Sequence, residues 1–102
     1  MKATADRKAP AASGEVVWSL RLYVAGKTQE SLLAYTNLKQ FCQEHLVQEY
    51  RIEVIDVAVQ PERAREDNIV ALPTLVLRSP KLVRKVIGDL SDTARLQRIL
   101  DA

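Results

Sequence analysis

Cysteine is almost missing from this chain. Its 102 residues include one cysteine, one histidine, one methionine and one tryptophan, with three glycines and four prolines. A lone Cys42 excludes an internal disulfide, and no C-x-x-C pair exists for thiol–disulfide exchange. His45 has no second histidine with which to hold a metal. The three glycines form no glycine-rich loop, so the sequence has no phosphate cradle. No apolar run approaches the ~20 residues needed to cross a bilayer. The formal net charge of +2, with acids and bases interleaved, is too small to mark a nucleic-acid-binding surface. These absences leave neither nucleic acid nor membrane as the expected partner, and a reducing cytoplasm is the simplest setting.

The sequence does supply material for one modest core, with 47% apolar and 27% charged residues. Residues 1–15 read as a flexible N-terminal tail, in which alanines alternate with charges, Asp6, Pro10 and Gly14. Lys2 is followed by no continuous apolar core, which argues against a secretory signal. Residues 16–102 read as the domain.

Hydrophobic periodicity divides that domain into elements. Residues 16–24 alternate with period two, placing Trp18, Leu20, Leu22 and Val24 on one face and Ser19 and Arg21 on the other, as in a strand. Thr28 is suited to cap a helix, and Glu30 favours the positive end of its dipole. Leu38, Phe41, Cys42 and His45 then recur at helical spacing to about Leu46. Residues 51–57 form a second strand, so strand–helix–strand predicts a right-handed parallel crossover. Pro61 opens a short helix over residues 62–67, which Asn68 ends in a left-handed conformation. Thr74 to Leu77 is strand-like.

The last third supports two readings. Residues 81–87 alternate as a strand, with Leu82, Arg84 and Val86 opposite Val83, Lys85 and Ile87. They also fit a helix, capped by Ser79 with Pro80 at its first position and a stripe of Leu82, Val83, Val86 and Ile87. Residues 91–100 fit a helix capped by Ser91, or a strand over residues 96–100. The strand option at 81–87 and the helix option at the end give an α/β order β-α-β-α-β-β-α, a thioredoxin-like layout. In such folds the first strand–helix loop carries the redox pair. Here that loop, residues 23–31, has no cysteine, while Leu72-Pro73-Thr74 stands where such folds place a proline beside the pair.

Four blocks resemble the KaiB family in order and spacing: residues 20–26 (LRLYVAG), 53–57 (EVIDV), 71–75 (ALPTL) and 86–91 (VIGDLS). The resemblance runs from about Leu20 to Leu100 and is interrupted by Gln29, where the family commonly has proline. Of the family's usual proline run at the hairpin, only Pro80 remains. The resemblance implies a non-catalytic, cofactor-free clock regulator. It implies two folds: the thioredoxin-like form that binds partners, and a ground state, β-α-β-β-α-α-β, reached by rearranging the C-terminal half. The ground state would be a dimer or tetramer. The implied partner is the ATPase ring of a KaiC-type protein, followed by KaiA or a sensor histidine kinase. Leu72-Pro73 and Ser79-Pro80 match two family prolines and are candidates for cis bonds and for the fold switch.

Arg84 and Lys85 match basic family positions. They read equally as acid-binding contacts or as a solvated edge that discourages aggregation. Gln60, Arg63, Arg65 and Asn68 lie, by the same resemblance, near the ring-binding face. Cys42 reads as a buried thiol and His45 as a packing residue. Asp56 and Asp89 read as turn residues, since neither has a base or nucleophile beside it in the sequence. Two further expectations remain open: a single-fold thioredoxin-like adaptor in signalling or stress, and a one-cysteine redox enzyme built on Cys42.

Overall fold

The computed structural model describes residues 18–46 and 49–100. The expected tail, and the first two residues of the expected opening strand, lie outside the described residues. Seven elements follow in the order β1 (Trp18–Val24), α1 (Gln29–His45), β2 (Tyr50–Asp56), α2 (Pro61–Glu66), β3 (Thr74–Arg78), β4 (Val83–Ile87) and α3 (Thr93–Leu100). They form one four-stranded sheet in the order β2-β1-β3-β4. β1 and β2 are parallel across the α1 crossover, while β3 runs antiparallel to both β1 and β4. This is the thioredoxin-like order read from the sequence.

The period-two pattern of β1 sorts the two sides of the sheet. Trp18, Leu20, Leu22 and Val24 join Tyr50, Ile52, Leu75 and Leu77 under α1, which contributes Ala34, Leu38, Phe41 and Cys42. Leu90 and Leu96 bring the α3 end onto the same side. On the opposite side Tyr23, Ile55, Val76 and Ala64 form a smaller cluster beneath α2. β1 is therefore buried on both faces, which explains why the side that carries Ser19 and Arg21 also contains a fully buried tyrosine.

Local chemistry sets the boundaries. Ser31 N–H donates to the Thr28 hydroxyl oxygen at 3.2 Å, the expected N-cap of α1. Pro61 stands in the first turn of α2, and Asn68 stops it at φ 55°. The helix ends one residue earlier than expected, with Asp67 as its C-cap. Residues 83–87 are a strand because β3 offers them an open ladder, which a helix there would leave unpaired. Ser79 consequently caps no helix. Its hydroxyl oxygen accepts from the N–H groups of Lys81 and Leu82 in the hairpin turn. The α3 cap is Asp92 rather than Ser91: its carboxylate accepts from Arg95 N–H at 3.1 Å. Ser91 is used one step earlier, donating its N–H to the Asp89 carboxylate at 3.0 Å.

Candidate docking surface

The β1–α1 loop is closed on itself. Gly26 turns the chain at φ 61°, a conformation that side chains rarely adopt. Its N–H donates to the Asp56 carboxylate at 3.3 Å, and Ala58 N–H donates to the same oxygen at 3.0 Å. Asp56 thus ties the first loop to the end of β2, a turn role. Ala25 N–H donates to the Ser31 hydroxyl oxygen at 3.2 Å, and the Thr28 hydroxyl donates to that oxygen at 2.8 Å. The Leu72–Pro73 peptide is cis; Ser79–Pro80 is not among the cis bonds of the described residues. Tyr23 and Thr74 are paired, so this loop and this proline lie at the same end of the sheet, and the loop supplies no thiol.

The one thiol lies elsewhere. Cys42 is buried on the inner side of α1, and burial pushes its pKa up to about 12. A catalytic thiol needs the reverse, an accessible and stabilised thiolate. In native protein at neutral pH, Cys42 is expected to react with an aromatic disulfide reagent only as fast as the fold opens. Stopped-flow labelling, compared with labelling in urea, checks this; native labelling at the free-thiol rate would contradict it. His45 lies at the margin of the core, its ring 4.8 Å from that of Phe41. Among the described residues, no group of three or more His, Cys, Asp and Glu side chains could hold a metal ion.

The polar chemistry gathers on the α2 side of the sheet, around a carboxylate that the sequence reading treated only as a helix end. Asp67 is 8% exposed. It accepts a short hydrogen bond from the Tyr23 hydroxyl. Arg21 Nη1 reaches its Oδ2 at 3.1 Å, and Arg78 Nη2 its Oδ1 at 3.3 Å. Burial raises the Asp67 pKa, but the hydrogen bonds from Tyr23, Arg21 and Arg78 and the charge of Arg21 outweigh it, leaving the carboxyl below its ordinary value. Burial and Asp67 together push Tyr23 to about 12. Beside this cluster Arg63 donates to Glu53 at 3.0 Å and to the Gln60 side-chain oxygen at 3.2 Å. Glu53 sits in register beside Arg21 on the neighbouring strand. Opposite charges on matching faces of two predicted parallel strands were the available sign of this network.

The six residues expected to meet a partner are dispersed by the fold. Arg63 is an inward strut from α2 to Glu53 of β2, and Gln60, at the N-cap of α2, accepts from Arg63. Arg65 and Asn68 are exposed on α2 and just after it. Lys85 is brought to this group, its Nζ 3.4 Å from the Asn68 carbonyl. Arg84, its neighbour, points to the other face of β4 by strand alternation and donates to the Val83 carbonyl at 3.1 Å.

A family model described as the KaiB domain matches residues 21–102. The chain belongs to the KaiB family. It is 42% identical over 82 residues to circadian clock protein KaiB3 of Synechocystis sp., covering 80% of each. It is 46% identical over 82 residues to circadian clock oscillator protein KaiB of Microcystis aeruginosa, covering 80% of this chain and 79% of that one. Among solved structures, this KaiB-family fold is similar to the N-terminal domain of SasA from Synechococcus elongatus. The TM-score is 0.70 at 23% identity, over 94% of this chain and 90% of that one. It is also similar to mitochondrial thioredoxin 3 from Saccharomyces cerevisiae, with a TM-score of 0.68 at 20% identity over 85% and 79%. These two likenesses concern the fold alone. Together they mark this KaiB-family chain as thioredoxin-like in architecture.

Proposed function

We propose that this chain is a non-catalytic regulator that docks on the ATPase ring of a KaiC-type protein in circadian or other timing regulation. The observation that carries this reading is the combination of sequence and site: 42–46% identity to clock proteins over 82 residues, on a thiol-enzyme fold whose loop has no thiol. The docking face consists of Arg65, Asn68 and Lys85, with Arg84 on the opposite face of β4 along the same edge. Gln60 and Arg63 hold α2 in place beneath them. A KaiA-type protein or a sensor histidine kinase is then taken up or displaced by the assembled complex.

The same reading includes a fold switch. Four of the five β4 residues are exposed, so only Val86 anchors that strand to the core, and little apolar burial opposes the helical alternative over the same residues. In the second form, a dimer or tetramer, the C-terminal half rearranges around Leu72-Pro73 and Ser79-Pro80. Apparent affinity for the ring then falls with the fraction of chain in the competent fold. Mixing the chain with a KaiC-type ATPase should give a complex that grows over hours on size-exclusion chromatography. No shift in any nucleotide state would remove the docking proposal.

A single-fold adaptor, acting in signalling or stress without a clock, is the second reading, favoured by a hairpin that keeps Pro80 alone. It requires one set of amide NMR signals at every concentration and ring binding without a lag.

A further inference from the structure

β4 is an edge of the sheet, and its register determines which groups it offers. Gly88 N–H donates to the Pro73 carbonyl and Ser79 N–H to the Leu82 carbonyl, each at 2.9 Å. With the pairs Leu75–Val86 and Leu77–Arg84, these bonds turn the backbone groups of Leu82, Arg84 and Val86 toward β3. Val83, Lys85 and Ile87 therefore turn their N–H and C=O groups outward. Their side chains share the α2 face, where Val83 is 45% and Ile87 55% exposed. The edge thus combines unpaired backbone with an apolar–cationic–apolar row. Among the described residues, the Arg84 guanidinium on the Val83 carbonyl is the one side-chain cover on these outward groups.

We infer that β4 takes up an extended acidic segment of another protein as a fifth strand. Antiparallel addition would place the incoming residues opposite Ile87, Val86, Lys85, Arg84 and Val83 in turn. The matching sequence is apolar, any small residue, acidic, acidic, apolar. The acid opposite Arg84 draws the guanidinium off the Val83 carbonyl and frees that acceptor for the incoming strand, so recognition of charge uncovers the edge. A second copy of this chain does not suit the edge. Antiparallel self-pairing centred on Lys85 sets Lys85 against Lys85, and the neighbouring register centred on Arg84 sets Arg84 against Arg84; like charges in direct opposition are unfavourable.

This inference rests on the reading of Arg84 and Lys85 as partner contacts, but its test needs only this chain. The probe is the peptide Thr-Val-Thr-Glu-Glu-Val-Thr with blocked ends. The control has lysine for both glutamates. Amide hydrogen exchange is followed by NMR at millimolar peptide and low salt. The expected result is about tenfold slower exchange at Val83, Lys85 and Ile87 with the acidic peptide, and no change with the control. Lys85→Pro removes an outward N–H while leaving the bonds to β3, and should weaken binding at least fivefold relative to Lys85→Gln, which removes the charge alone. Equal effects of both peptides, protection confined to β2, or unchanged binding by Lys85→Pro would overturn the inference. So would edge amides already protected in the free chain, independently of concentration if its own residues 1–17 cover them, or with concentration if a second copy does. Ring binding that survives without any peptide protection overturns strand addition and leaves docking standing; peptide protection without ring binding does the reverse.

Discussion

Asp67→Ala should lower the free energy of unfolding by about 3 kcal/mol, a large share of the roughly 5–15 kcal/mol available to a domain of this kind. The substitution leaves the buried Tyr23 hydroxyl without its acceptor, and leaves Arg21 and Arg78 facing each other without the carboxylate between them. The side chains of Arg21 and Arg78 are 27% and 40% exposed, so water relieves part of their loss and holds the effect below that of a fully buried broken pair. Asp67→Asn should cost about 2 kcal/mol, because one half of the amide turns a donor toward groups that are themselves donors. The pH dependence separates charge from packing. A carboxyl whose folded pKa lies below its ordinary value contributes fully above that value and loses the contribution as pH falls through the folded pKa. The Asp67 contribution should therefore hold at pH 7, begin to decline near 3.8 and fade below it. Urea midpoints of wild type and Asp67→Asn should converge toward low pH. A constant gap would mean that the carboxylate charge is irrelevant to the fold.

Reversing both cations of β4, Arg84→Glu with Lys85→Glu, should slow association with the ATPase ring by about 10–100-fold while leaving the unfolding midpoint within a few tenths of a molar of wild type. The two side chains are exposed, and neither carries core packing. Their effect is expected in the on-rate, and raising salt should slow the wild type toward the variant. Initial association rates at limiting ring concentration, followed over hours at several ionic strengths, measure both. An unchanged on-rate would place the docking surface elsewhere, with the exposed Arg65 of α2 as the next residue to reverse.

Strand and helix periods were legible in β1, α1 and α2, where pattern and local boundary signals agree. β1 alternates cleanly, α1 has a clear cap in Thr28, and α2 is bracketed by Pro61 and Asn68, whose backbone preferences act locally. Residues 81–87 were not legible in this way, since the same apolar residues satisfy both periods. The open ladder of β3, distant in sequence, decides between them in this structure. The Ser91 cap was misassigned because Asp92 is an equally good acceptor one residue later, and local chemistry alone does not separate the two.

The site divides along the same line. The sequence alone excluded a thiol pair from the first loop, because no cysteine exists to place there, and its four ordered blocks were sufficient to suggest the family. Only the tertiary structure joined Tyr23, Arg21 and Arg78 to Asp67, across separations of up to 46 residues. It also selected the strand reading that sets Arg84 and Lys85 on opposite faces, and left Arg63 as an inward strut. The reason is physical. Backbone preference and hydrophobic period act over one or two turns of chain, whereas a buried carboxylate is stabilised by whatever donors the packed sheet delivers to it.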